Sequence, residues 1–203
     1  MIVVAISGAS GPVMGIRLVE ELLNAGESVA SIVSEPAKEI IAYEIPELKG
    51  HTDSLRKVIE KRAIAQKTDL LKEYDNRNFF SPSASGSTSI KATVVVPCSM
   101  KTLAAISHGY ADTLITRSAD VAIKEKRRLI IVPRETPMSV IHIDNLQKIA
   151  RAGADIVMPV PGFYTRPKTI EDTVDFIVGK ILNLLDIKHN LFKSWEELSK
   201  ELK

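Results

Sequence analysis

Short apolar runs alternate with amphipathic segments from the first residues of the chain. Residues 2–6 form a β-branched run, and the apolar positions from Ile16 to Leu23 then recur at the spacing of a helix. Residues 29–33 form a second apolar run, and a segment with helical periodicity follows from Ala37. The order strand, helix, strand, helix predicts a parallel sheet whose connections pack on its faces as helices.

The same alternation continues along the rest of the chain. We predict further strands at residues 92–96, 129–132 and 156–158, and further helices at 100–106, 112–126, 139–152 and 169–185. Residues 46–75 are charged, and they predict a helical excursion on the surface. We therefore expect one domain over residues 1–203 with an α/β fold, a Rossmann-like or flavodoxin-like doubly wound parallel sheet in three α/β/α layers.

Composition restricts the kinds of partner. The 203 residues are 45% hydrophobic, and the net charge of +2 comes from basic residues interspersed with acids, so we expect no face for nucleic acid. Cys98 is the single cysteine, which excludes an intrachain disulfide and suits a reducing compartment. Because the sequence has neither a leader pattern nor an apolar stretch long enough for a bilayer, we expect a cytoplasmic protein without a membrane partner.

Candidate binding residues follow the predicted strands, because ligands of doubly wound sheets lie beyond the carboxyl ends of the strands. A glycine-rich turn at residues 7–11 exposes backbone N–H groups near a helix start, an arrangement that binds anions, although its spacing is not that of dinucleotide folds. Ser34, Ser99 and Thr102 either cap helices or surround a flavin phosphate and ribityl chain. Arg134 and Glu135 follow a buried strand between two prolines.

Several other motifs have a simpler structural reading. Tyr164 and Lys168 match a dehydrogenase pair in spacing, but Pro167 prevents them from sharing one helix face. The acids at 171, 172 and 175 resemble a magnesium motif, yet Thr169 with Asp172 three residues later predicts a helix cap. We expect no metal site, and we expect Cys98 to be buried.

Seven motifs occur together in one order along most of the chain. They are SGASG at 7–11, SASGS at 83–87, PCSMKTL at 97–103, RSADV at 117–121, KEKR at 124–127, VPRETP at 132–137 and PGFY at 161–164. In this order the chain resembles the UbiX-type flavin prenyltransferases, over roughly residues 2–195. The resemblance implies that dimethylallyl phosphate alkylates reduced FMN at N5 and then at C6, giving prenylated FMN for a UbiD-type decarboxylase. It also implies a homo-oligomer, expected to be a dodecamer, whose sites are shared between subunits.

The resemblance assigns roles to matching positions. FMN is expected to contact Gly8, Ala9, Ser10, Ser34, Ser99, Met100, Lys101, Thr102 and Arg117. The allylic phosphate is expected to contact Ser85, Gly86, Lys124, Arg134, Glu135, Tyr164 and Lys180. The catalytic residues implied are Ser10, Glu44, Lys124 and Glu135.

These residue types suit a reaction without metal, since fixed cations and a phenol hydroxyl can stabilise a leaving phosphate. Two positions depart from the family pattern: Lys180 stands where many relatives have Arg, and Phe79 where many have Trp. One alternative is an FMN-dependent cysteine decarboxylase of the same fold, which relies on an early His, whereas the first histidine here is His51. A second alternative is a flavodoxin-like FMN-binding module without chemistry of its own.

Overall fold

A sheet of six parallel strands forms the centre of the computed structural model, which describes residues 1–201. The strands are β1 (Ile2–Ile6), β2 (Val29–Val33), β3 (Leu71–Tyr74), β4 (Ala92–Cys98), β5 (Arg128–Pro133) and β6 (Asp155–Ile156). Their order across the sheet is β3-β2-β1-β4-β5-β6. Because the chain changes direction of winding between β1 and β4, a crevice is expected to open beyond the ends of these two strands.

The helices cover both faces of the sheet, which confirms the predicted three-layer α/β/α fold. They are α1 (Pro12–Asn24), α2 (Glu35–Glu44), α3 (Leu55–Arg62), α4 (Met100–Ser107), α5 (Leu114–Lys124), α6 (Val140–Arg151), α7 (Ile170–Leu184) and α8 (Trp195–Glu201). The cluster of buried side chains on one face joins the sheet to α1, α2, α3 and α7, and a second cluster joins the other face to α4, α5 and α6. No helix within residues 1–201 is long and apolar enough to cross a membrane.

The prediction for residues 46–75 is wrong in part, because this segment also contributes a strand. It contains α3 as expected, and Leu71–Tyr74 then pairs in parallel with β2 at the edge of the sheet. Lys72 and Glu73 are exposed, since an edge strand has one neighbour and turns polar side chains to water. The apolar signal that identifies an interior strand is therefore missing here.

A close approach of α1 to the sheet brings its first turn to the ends of β1 and β4. Gly15 makes this approach possible, since a Cβ on this residue would lie 2.4 Å from the carbonyl oxygen of Val96. Any larger residue would push the helix away from the strands. The position of α1 therefore fixes where the glycine-rich turn before it lies.

A buried carboxylate joins three helices on the α1 face. The side chain of Glu20 is fully buried in α1, and its Oε1 lies 2.6 Å from the Nε of Arg62 at the end of α3. Arg17, one turn earlier, pairs with Asp175 of α7 at 2.7 Å. Burial raises the pKa of Glu20, and the hydrogen bond from Arg62 opposes this shift only in part.

Replacing Glu20 by Gln should change how stability depends on pH. The pKa of Glu20 in the folded chain lies above its ordinary value of 4.5, so the folded chain holds this proton more tightly than the unfolded chain. The wild-type protein therefore loses this contribution as pH rises from about 4.5 through the raised pKa. We expect the unfolding free energy of Glu20→Gln, relative to wild type, to rise with pH across that window in urea titrations. A difference that does not change with pH would contradict this account.

Candidate functional site

A cavity of about 480 Å³ opens beyond the carboxyl ends of the strands, at the change of winding direction. Its walls include Gly8 after β1, Ser34 after β2, Asp75 after β3 and Ser99 after β4. The start of α5 closes the opposite wall with Thr113 and other residues of its first turn. The volume lies within the range of pockets that hold cofactors and small molecules. We call this cavity the crevice.

The glycine-rich turn lies at one side of the crevice. A Cβ on Gly8 would lie 2.7 Å from the Cβ of Pro36, so only glycine allows the turn to lie against the start of α2. Gly11 has a φ of 87° and ends the turn at the start of α1. The N–H of Gly11 donates to Oε2 of Glu44 at 2.9 Å, which places this carboxylate beside the exposed Ser10. Ser10 and Glu44, both among the catalytic residues that the family resemblance implies, are therefore neighbours.

A buried hydroxyl holds this turn to the turn after β4. The Oγ of Ser7 donates to the carbonyl oxygen of Pro97 at 2.9 Å. The same Oγ of Ser7 accepts a hydrogen bond from the N–H of Ser99 at 2.8 Å. Ser7 is 1% exposed. Ser7 was predicted only as part of the glycine-rich turn, although its place directly after a buried strand was the available signal for a structural role. The residue fixes the distance between two walls of the crevice.

Most of the predicted FMN residues lie in or beside the crevice. Ser34 accepts from the N–H of Ala37 at 3.3 Å, and Ser99 accepts from the N–H of Thr102 at 3.3 Å, so both cap helices and face the cavity at once. Lys101 and Thr102 also line it. Three further predicted FMN residues are next in sequence to residues that line the crevice. Ala9 and Ser10 follow Gly8 in the glycine-rich turn, and Met100 follows Ser99 at the start of α4.

Arg117 lies elsewhere in this chain. Its Nε donates to the carbonyl oxygen of Ala84 at 3.1 Å, and its Nη1 pairs with Asp120 at 2.7 Å. The residues of α5 that line the crevice are instead Ile115 and Thr116. In the isolated chain, Arg117 therefore binds the loop of residues 81–87 rather than a ligand in the crevice.

Three predicted phosphate ligands meet at the far end of α5. A Cβ on Gly86 would lie 2.9 Å from the Nζ of Lys124, and Ser85 precedes Gly86 in the same loop. The ammonium group of Lys124 is paired with Glu125 at 2.5 Å, and this pairing lowers the pKa of the Glu125 carboxyl. Lys124 follows Thr116 by eight residues, so it lies about 12 Å further along the helix than the crevice wall. We call residues 85, 86 and 124 the loop cluster.

Arg134 and Glu135 lie at the end of β5, next to the turn after β4. The N–H of Arg134 donates to the carbonyl oxygen of Cys98 at 3.1 Å. Glu135 is exposed, and its Oε1 accepts from the N–H of Thr136 at 2.9 Å. The thiol of Cys98 is buried as expected, and burial strongly raises its pKa.

Tyr164 and Lys180 belong to the opposite face of the sheet. The ring of Tyr164 makes edge contacts with Phe176 of α7 and Trp195 of α8, with centroids 5.8 and 5.5 Å apart. Lys180 is exposed, and it follows Phe176 by one helical turn on α7. Since α7 packs on one face of the sheet and α5 on the other, the sheet separates Lys180 from Lys124 within one chain.

The motifs with simpler readings are structural. Thr169 caps α7, and Oδ2 of Asp172 accepts from the N–H groups of Lys168 and Thr169 at 2.7 and 3.1 Å. These bonds lower the pKa of Asp172. The short turn that carries Tyr164 ends at Thr165, so Tyr164 and Lys168 share no helix. Among the described residues, no group of three His, Cys, Asp or Glu side chains has the arrangement of a metal site.

Comparison with known proteins finds relatives that match nearly the whole chain. The family model described as Flavoprotein matches residues 1–182. The chain is 46% identical over 194 residues to the flavin prenyltransferase UbiX of Methanocaldococcus jannaschii, covering 96% of this chain and 97% of that protein. It is similar to the crystal structure of AnUbiX in complex with FMN and dimethylallyl pyrophosphate, with 41% identity, a TM-score of 0.83 and 96% coverage of each chain. It is also similar to a dodecameric FMN-dependent UbiX-like decarboxylase from Escherichia coli O157:H7, with 34% identity, a TM-score of 0.83 and coverage of 96% of this chain and 98% of that one.

Two serines of the glycine-rich turn should respond differently to replacement by alanine. Ser7→Ala removes the buried acceptor of the Ser99 N–H, and we expect it to lower the unfolding free energy by about 1–3 kcal/mol. Ser10→Ala changes an exposed side chain of the same turn, and its effect should stay within about 0.5 kcal/mol. Urea unfolding of the two variants measures both values. Equal effects would show that the Ser7 hydroxyl does not hold the two turns together.

Proposed function

We infer from these observations that this chain, which belongs to the family of UbiX-type flavin prenyltransferases, joins the dimethylallyl group of dimethylallyl phosphate to reduced FMN. In this reaction the allylic C–O bond breaks, phosphate leaves, and the five-carbon unit becomes bonded to N5 and then to C6 of the flavin. The enzyme is therefore a transferase for which reduced FMN is the acceptor. The flavin supplies the nucleophilic atoms, and the protein supplies the binding groups and the charge.

The main observation in support of FMN binding is that three helices begin at the crevice. Ser34, Ser99 and Thr113 cap α2, α4 and α5, and all three line the cavity. The first N–H groups of a helix and its dipole attract a phosphate. Gly8 lies directly against Pro36, which leaves the backbone of the turn open to a ligand that approaches closely. We propose that this crevice holds FMN through Gly8, Ala9, Ser10, Ser34, Ser99, Met100, Lys101 and Thr102.

Cationic and hydrogen-bonding residues outside the crevice can bind the phosphate that leaves during the reaction. We propose that Ser85, Gly86, Lys124, Arg134, Glu135, Tyr164 and Lys180 bind this group. Negative charge develops on the phosphate as the C–O bond breaks, and each fixed donor aimed at that charge contributes on the order of 3 kcal/mol. Glu135 is the candidate acid toward the phosphate, while Ser10 and Glu44 act at the flavin edge.

The separation of Lys124 from Lys180 supports a site built from more than one chain. Both residues are proposed to bind one phosphate, yet the sheet lies between α5 and α7. A neighbouring copy of the chain can supply the missing group. We therefore propose a homo-oligomer with shared sites, and the dodecameric relative from Escherichia coli supports twelve subunits. We further propose that the protein acts in the cytoplasm and that a UbiD-type decarboxylase receives the prenylated flavin.

The names of the relatives include a second activity, because the structure from Escherichia coli is called a decarboxylase. The chain lacks the early histidine expected of cysteine decarboxylases, since its first histidine is His51. A simple flavin-binding module would have no use for Lys124, Glu135, Tyr164 and Lys180. The prenyltransferase is therefore the function that accounts for the most residues.

Anaerobic incubation with reduced FMN and dimethylallyl phosphate tests the proposed function. We expect the flavin to gain the mass of one C5H8 unit and phosphate to be released in equal amount, as measured by mass spectrometry and a phosphate assay. Glu135→Gln should lower kcat/KM by about 100-fold or more, because it removes a proton donor at the leaving group, and should leave FMN affinity unchanged. An unchanged flavin mass with the wild-type protein would refute the transferase. A cysteine peptide in place of the prenyl donor tests the decarboxylase in the same assay.

Mixed oligomers test whether the sites are shared. Lys124→Ala and Lys180→Ala should each be nearly inactive alone. Co-expressed with different affinity tags, the two variants should regain about a quarter of wild-type turnover, because that fraction of sites receives both lysines from two different chains. Oligomers of the doubly substituted chain are the control and should stay inactive. Failure of the mixed oligomers to regain activity would mean that both lysines of a site come from one chain.

A further inference from the structure

Two arginines hold the loop of residues 81–87 along α5. Arg117 donates from its Nε to the carbonyl oxygen of Ala84 at 3.1 Å. Arg127, three residues after Lys124, donates from its Nη2 to the carbonyl oxygen of Gly86 at 2.5 Å. The loop is thus fixed by its backbone at two carbonyls, one on each side of Ser85.

The loop backbone lies directly against the ion pair of Lys124. A Cβ on Gly86 would lie 2.2 Å from Oε1 of Glu125 and 2.9 Å from Nζ of Lys124. The place of Gly86 therefore sets the place of the ammonium group beside it. Any movement of the loop away from α5 would separate the two groups that are proposed to hold the same phosphate.

Arg127 occupies its position at an energetic cost. Its Nη1 is buried and has no hydrogen-bond partner in the described part of the chain. A buried donor without a partner is unfavourable, whereas a hydrogen bond from a charged group to a carbonyl is among the stronger kinds. The contact with Gly86 is the one hydrogen bond of this guanidinium among the described residues. The contact that Arg127 makes therefore indicates a role in holding the loop of residues 81–87.

We propose that Arg127 is a positioning residue, which holds Gly86 and Ser85 beside Lys124 so that the loop cluster is formed before the prenyl phosphate arrives. This proposal rests on the proposed function, since it concerns how that reaction binds its donor. We assign Arg127 to the loop and not to the phosphate, because its one hydrogen bond among the described residues goes to the Gly86 carbonyl and its Nη1 is buried. Its effect is confined to the donor, because the crevice is formed by other residues.

Steady-state kinetics of Arg127→Gln at saturating reduced FMN test the proposal. We expect KM for dimethylallyl phosphate to rise about tenfold, kcat to change by less than about threefold, and FMN affinity and melting temperature to stay near wild type. Arg127→Lys keeps the charge and one donor, and it should recover part of the loss. Lys126→Gln is the matched control, since it removes the same charge from the adjacent exposed position and should behave as wild type.

The outcomes separate this proposal from the function itself. If the wild-type protein transfers no prenyl group, the proposed function fails, and Arg127 is not at issue. If the wild type is active and Arg127→Gln behaves like Lys126→Gln, or weakens FMN binding as much as donor binding, the positioning role is refuted. Should Arg127→Gln not fold, Gly86→Ala decides, because its Cβ must displace either the loop or the ends of the Glu125 and Lys124 side chains, and either movement separates the loop from the ammonium group and should raise the same KM. An unchanged KM in Gly86→Ala would then overturn the proposal.

Discussion

The hydroxyl of Ser7 links the two strands at which the winding of the sheet reverses. It joins the end of β1 to the end of β4 by donating to Pro97 and accepting from Ser99. The glycine-rich turn and the start of α4 both begin at these points, so a side chain that water does not reach adds to the backbone pairing of β1 with β4 in setting their separation. A ligand that spans the two turns meets walls whose distance is already fixed, and binding does not have to order them.

The same sheet that forms the crevice also divides the remaining chemistry. Helix α5 begins at the crevice and ends at Lys124, while α7 carries Lys180 on the other face. A single chain therefore forms the whole crevice, but its Lys124 and Lys180 ammonium groups lie on opposite faces of the sheet. In the proposed shared site, assembly contributes to binding of the phosphate by bringing these two surfaces together, in addition to any gain in stability.

The sequence predicted the fold well because apolar runs and helical spacing report directly on burial. It missed β3, where Lys72 and Glu73 interrupt the apolar pattern, since an edge strand is half exposed. The residues after β1, β2 and β4 were predictable as crevice residues from the geometry of parallel sheets alone. The contact of Arg117 with the Ala84 carbonyl could not be predicted, because the sequence pattern is the same whether a guanidinium binds a carbonyl oxygen or a phosphate. Nor does spacing along the chain reveal that Lys124 and Lys180 lie on opposite faces.

The burial of Cys98 has a consequence for an enzyme that handles reduced flavin. Reduced flavins react with oxygen to give peroxide, which oxidises cysteine when the thiolate attacks its O–O bond. Cys98 closes β4 next to the crevice, yet it is fully buried and its raised pKa keeps it as the neutral thiol. The sequence has no other cysteine. The one thiol of this sequence is therefore held as a buried, neutral group beside the crevice, where its reactivity toward peroxide is low.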